Sequence, residues 1–76
     1  MPVTVYTRTS CAPCRTLKTY LQKKGIKFEE KNIDENPDHA AEAFAKTGLA
    51  MVPVTVIGDK VIQGLNLPLI IKELMV

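Results

Sequence analysis

The sequence predicts an α/β domain: a four-stranded mixed sheet flanked by three helices, in the order β-α-β-α-β-β-α. Three observations carry that expectation. Short runs of β-rich residues alternate with segments whose apolar positions recur at helical spacing. A helical segment joins the first two strand runs, a crossover that makes them parallel and the connection right-handed. Gly58-Asp59 between the last two runs is a two-residue hairpin signal, which makes those strands antiparallel neighbours. A chain of 76 residues has no room for a second core, so 1–76 forms one domain.

Taken in order, Val3-Thr4-Val5-Tyr6 alternates among β-formers and reads as the first strand, with Thr7 to Ser10 a polar loop. From Pro13 to Lys24 the apolar positions Cys14, Leu17, Tyr20 and Leu21 mark one face of a helix. Gly25 is its expected stop, and Lys23 and Lys24 suit the negative end of the dipole. The second strand lies within Ile26 to Ile33, marked by Ile26, Phe28 and Ile33, although its alternation is imperfect. Asn36-Pro37 opens the second helix, with Asn as cap and Pro in the first position. Ala40, Ala41, Ala43, Phe44 and Ala45 carry it to Gly48. Val52 to Ile57 is the third strand and Val61-Ile62 marks the fourth. Gly64-Leu65-Asn66 is a turn, after which Leu67, Ile70, Ile71 and Leu74 space a last helix. Helices are expected on both faces of the sheet.

Composition removes several function classes. Hydrophobic content of 46% supplies a core and argues against disorder. A net charge of +2, with two Tyr and two Phe, is too weak a footprint for nucleic acid. No signal peptide or membrane span is read at the N-terminus, where Arg8 interrupts the apolar residues, so a cytoplasmic location is expected, with no membrane contact. Charge is uneven: residues 1–28 carry Arg8, Arg15, Lys18, Lys23, Lys24 and Lys27 and no acid. Glu29, Glu30, Asp34, Glu35, Asp38 and Glu42 follow against Lys31 alone. The first segment is thus either an electropositive site or the wet face of an amphipathic helix.

Both cysteines fall in Cys11-Ala12-Pro13-Cys14, at the first strand-to-helix junction. Cysteines at i and i+3 on a helical turn bring their sulfurs within bonding reach. If Cys11 opens the helix, unpaired N–H groups and the dipole favour its thiolate, the form that attacks disulfides. A dipole contribution of about 0.3–1 kcal/mol, up to ~2 when partly buried, corresponds to about one pKa unit. Pro13 lacks an N–H and removes one donor from that first turn, which makes the pair more reducing. No acid in the first 28 residues offers itself as a base for Cys14. Other uses of the pair are an inert disulfide, which so short a loop would stabilise little, or a metal or iron–sulfur cluster shared between two subunits. A zinc site within one chain lacks ligands, His39 alone remaining, and no metal is expected. His39 reads as a solvated surface residue, Tyr6 and Tyr20 as core or boundary positions, and Pro37 and Pro68 as helix-start prolines. Met51 either fills a core gap or lines an apolar patch for a partner.

With Cys-x-x-Cys at that junction, the element order resembles the thioredoxin fold in its smallest form. The chain is similar over essentially its whole length to the glutaredoxins and the glutaredoxin-like NrdH-type redoxins. The likeness rests on Val5 through Cys14, on Val52-Pro53 and on Gly64-Leu65-Asn66. It implies that Cys11 attacks and Cys14 resolves, with Ala12 and Pro13 beside the incoming substrate. It also implies a cis Val52-Pro53 bond presenting the Val52 backbone to an extended thiol substrate; such bonds are uncommon even before proline. Gly64, Leu65 and Asn66 match the turn that receives the γ-glutamyl end of glutathione in glutaredoxins, and Arg8 stands where they often place a cation for the glycyl carboxylate. Ala12-Pro13 and Asn66 depart from the usual glutaredoxin residues, Pro-Tyr and Asp, and shift weight toward a redoxin reduced by an enzyme.

The expected activity is therefore thiol–disulfide exchange on protein disulfides, with ribonucleotide reductase the target the family suggests. Thioredoxin reductase or glutathione would be the reductant, glutathione then serving as co-substrate with no bound cofactor. The alternatives are a glutathione-dependent glutaredoxin and, in another class, a metal or cluster carrier. A monomer is the expected state.

Overall fold

The computed structural model describes residues 2–48 and 51–74. Strand β1 (Val3–Thr7) leads into helix α1 (Ala12–Lys23), strand β2 (Glu29–Asn32) and helix α2 (Pro37–Thr47). Strands β3 (Val54–Ile57) and β4 (Lys60–Gln63) precede helix α3 (Leu67–Leu74). The sheet order is β2-β1-β3-β4, with β1 parallel to β2 and antiparallel to β3, and β3 antiparallel to β4. The expected architecture and pairing directions are therefore present.

Strand alternation sorts the core into two layers. Val3, Val5, Ile57 and Ile62 face one way and meet Leu17 and Leu21 of α1 and Ile70 of α3. Tyr6 and Val54 face the other way and meet Ala43 of α2, with Ile33, Val52 and Val56 packed around them. Helices thus cover both faces.

Helix α1 ends in a Schellman motif. Gly25, at φ 70, donates its N–H to the Gln22 carbonyl, and Ile26 N–H reaches the Leu21 carbonyl at 3.0 Å. Helix α2 starts as expected, Asn36 accepting the Asp38 N–H at 2.9 Å and Pro37 standing at the first position.

Three local expectations differ from the structure. Thr7 belongs to β1 rather than to the loop, and its side chain is fully buried. The second strand is the polar middle of its segment, Glu29–Asn32, while Ile26 and Phe28 pack on the core ahead of it. An edge strand needs backbone partners more than apolar side chains, so the apolar marks bracketed it without belonging to it. Val52 and Pro53 precede β3, which begins at Val54.

Candidate active site

Cys11 is the N-cap of α1. Its backbone is extended (φ −144, ψ 102), and its carbonyl accepts the Arg15 N–H at 3.1 Å, the first bond of the helix. Its sulfur accepts the Cys14 N–H at 3.2 Å, taking the place a serine or aspartate oxygen fills in other caps. Pro13, within the same turn, has no N–H to add. The two sulfurs are joined as a disulfide, with Cα atoms 5.2 Å apart. The pair is asymmetric in access. Cys14 is 1% exposed, on the same buried stripe as Leu17 and Leu21, whereas Cys11 is half-buried and Ala12 and Pro13 are exposed.

Register gathers the other expected residues at the same end of the sheet. Thr7 pairs with Asn32, Tyr6 with Val54, and Val54 with Gln63. The Cys11 loop, the Asn32–Glu35 turn, Val52-Pro53 and Gly64 therefore all leave the sheet at the C-terminal edge of the parallel pair. That is where open α/β sheets bind ligands. The Val52-Pro53 bond is cis, as the resemblance implied. Gly64, at φ 75, donates its N–H to the Pro53 carbonyl at 2.8 Å, tying the two loops together. Leu65 is exposed, while Asn66 caps α3: its Oδ1 accepts the Leu69 N–H at 3.3 Å and its carbonyl the Ile70 N–H at 3.0 Å.

Two carboxylates that the chain order did not associate with the cysteines meet, through the fold, the strand end, loop and helix that flank them. Glu30, on β2, accepts from Thr7 Oγ1 at 2.7 Å and pairs with Lys18 Nζ of α1 at 2.8 Å. The Lys18 bond chiefly, and the Thr7 bond after it, hold its carboxyl below the ordinary range, against desolvation. Asp34, two residues past β2, accepts the Thr9 N–H at 3.0 Å and pairs with Arg8 at 3.4 Å. The Thr9 amide is the main cause of its lowered pKa, with Arg8 adding to it. Asn32 braces this turn, its Oδ1 accepting the Asp34 N–H at 2.8 Å and its amide reaching Thr9 Oγ1 at 3.4 Å. A polar cleft of about 340 Å³ between α1 and the end of β2 is lined by Arg8, Arg15, Lys18, Glu30, Asn32 and Glu35. The site is thus a mosaic of both signs. The electropositive segment inferred from residues 1–28 is offset by acids supplied from β2 and the turn after it.

Helix α2 carries a separate cluster. Tyr6 OH donates to Glu42 at 3.0 Å, and Lys31 Nζ reaches the same oxygen at 2.7 Å. Burial is the main cause that raises the Tyr6 pKa, as expected for a core position with a polar tip. His39 departs from its expected solvation: it is half-buried, with Nδ1 3.0 Å from the Asn32 carbonyl. Among the described residues, no three metal-capable side chains of the His, Cys, Asp and Glu types converge.

Comparison with known proteins agrees with this geometry. The family model described as glutaredoxin matches residues 3–62. Over 59 residues the chain is 39% identical to the glutaredoxin-like protein NrdH of Escherichia coli K12, covering 78% of this chain and 72% of that protein. Over 63 residues it is 38% identical to a glutaredoxin of Pseudomonas aeruginosa, covering 83% and 75%. Among solved structures, the NrdH-redoxin from Escherichia coli superposes with a TM-score of 0.82 at 35% identity, over 95% of this chain and 93% of that one. A buckwheat glutaredoxin solved as a glutathione complex gives 0.74 at 28% identity, over 86% and 62%.

Proposed function

The chain belongs to the glutaredoxin family and is a thiol–disulfide oxidoreductase, and from that premise we propose how its residues divide the work. Cys11 is the attacking thiol and Cys14 the resolving one. The observation that carries this assignment is the asymmetry of the pair: a half-buried cysteine at the helix cap and a fully buried one a turn below it. In the reduced protein the Cys11 thiolate attacks a substrate disulfide. A Cys11–substrate mixed disulfide forms, and one substrate sulfur leaves as thiolate and takes a proton from water. Cys14 then gives up its proton and attacks Cys11 Sγ. The intramolecular disulfide forms and the second substrate sulfur leaves, two electrons having passed to the substrate. Val52 offers its backbone beside Pro53, Ala12 and Pro13 flank the attacking sulfur, and Gly64 and Leu65 border the same edge.

The substrate is a protein disulfide, ribonucleotide reductase being the target the family suggests, and the reductant that resets Cys11–Cys14 is a thioredoxin-reductase-type enzyme. Three features support that choice over glutathione. Pro13 withholds a donor from the first turn. Arg8 is paired to Asp34. Asn66 uses its side-chain oxygen to cap α3. We place the protein in the cytoplasm, acting as a monomer; among the described residues no helix is long and apolar enough to cross a membrane.

The test compares wild type with Cys14→Ser in two assays, one driven by NADPH and thioredoxin reductase and one by glutathione. Wild type should turn over with the reductase, and the variant should lose turnover in both. Glutathione-driven turnover in Cys14→Ser at the wild-type level would overturn the choice of reductant, because glutathione itself would then be resolving the mixed disulfide. Bound iron in fresh protein that vanishes in Cys11→Ala would instead favour a cluster carrier.

A further inference from the structure

We propose that Asp34 is a specificity-determining residue, its carboxylate occupying Arg8 so that the active-site edge disfavours anionic thiols such as glutathione. The proposal deepens the assignment of an enzyme as reductant and rests on it. Asp34 is fixed in place from both sides of the turn. Its side chain receives the Thr9 N–H at 3.0 Å and Arg8 at 3.4 Å, while its own N–H is held by Asn32 Oδ1 at 2.8 Å. Thr9 and Arg8 lie two and three residues before Cys11, so this negative charge, carried by the turn after β2, is held against the loop that carries the attacking sulfur.

Glutathione brings two carboxylates and one ammonium, a net negative charge that must settle against this edge. Asp34 acts on it twice: it engages the nearest cation of the loop and adds like charge. Of the two acids that line the adjoining cleft, Glu30 and Glu35, Glu30 engages Lys18 in turn, which leaves that cation shared as well. A protein substrate that docks through extended backbone and apolar contacts has no obligatory carboxylate to place at Arg8. The same aspartate therefore leaves it largely untouched. Because Arg8 is 54% and Asp34 38% exposed, the discrimination is modest, about two- to fivefold in efficiency, as for an exposed pair.

Asp34→Asn tests this, since the amide keeps an oxygen for the Thr9 N–H and loses only the charge. The efficiency of glutathione is measured with a small disulfide and glutathione reductase across a range of salt, beside turnover driven by thioredoxin reductase. Asp34→Asn should raise the glutathione efficiency about two- to fivefold, mainly through KM, with the gain fading as salt rises. Adding Arg8→Gln to it should abolish the gain. Asp59→Asn, which makes the same charge change in the β3–β4 turn at the far end of the sheet, should give none. No gain in Asp34→Asn, a gain that survives Arg8→Gln, or an equal gain in Asp59→Asn would each overturn the proposal. Asp34→Ser, which also retains an oxygen, repeats the test should the first variant misfold. If wild type proves to be driven by glutathione and inert to the reductase, the assignment of the reductant fails, while the Asp34 and Arg8 comparison still reports on discrimination.

Discussion

Leu17 and Phe44 are both large apolar residues on helices, and the structure predicts opposite responses to truncation. Leu17 is fully buried between α1 and the sheet, three residues after Cys14, whereas Phe44 is 56% exposed on α2. Leu17→Ala removes about three buried carbons, about 2.4 kcal/mol of transfer free energy, and the remaining void raises the cost to about 3–4 kcal/mol. Small domains hold only about 5–15 kcal/mol in total. In a chain of this size each kcal/mol moves Tm by about 4–8 °C, so the loss is about 12–30 °C. Phe44→Ala should stay within about 0.5 kcal/mol. The assay is urea denaturation of the oxidised proteins, where the midpoint should fall for Leu17→Ala at an unchanged slope. A cost below about 1 kcal/mol for Leu17→Ala, or an equal cost for Phe44→Ala, would refute the packing described for α1 and remove the platform on which Cys11 sits.

Two further outcomes are expected. The Glu30 carboxyl is held below its ordinary value of 4.5 in the folded protein by Lys18 and Thr7, so its contribution is present above that value and is lost as pH falls through the folded one. Glu30→Gln should thus cost up to about 1 kcal/mol at pH 7, allowing for solvent screening, with the difference from wild type disappearing in acid; a difference constant from pH 7 to 3 would contradict the pairing. Asn36→Ala removes the acceptor of the Asp38 N–H and should destabilise by about 1 kcal/mol, seen as a Tm drop of about 4–8 °C.

Much of the fold was legible because its signals are local. Asn36-Pro37 marks a helix start through the chemistry of one cap, and Gly58-Asp59 marks a hairpin through the backbone freedom of two residues. Cys11 at the cap followed from the helical spacing of Cys14, Leu17 and Leu21. What escaped was set by partners distant in sequence. Ala40, Ala41, Ala43, Phe44 and Ala45 form so continuous an apolar run that spacing could not select a face, and only Ala43 is buried. Glu30 and Asp34 stand 12 and 25 residues from the groups they meet, Lys18 and Thr9. Only the parallel pairing of β1 with β2 brings them together. The acidic run after residue 28 was the visible trace of that neutralisation, with nothing in its spacing to say which acid meets which base. His39 is held by a carbonyl that no side-chain pattern announces.

The outer rims of the sheet bear on what another chain could add along its edges. One rim is Glu29–Asn32, dense with ionic side chains, and the other is four residues beginning at Lys60. A stranger's strand laid along the first would have to strip water from those charges, and along the second it would find little length to grip. Neither rim therefore invites a further strand, and the end of the sheet that bears the sulfurs is left as the face without that guard.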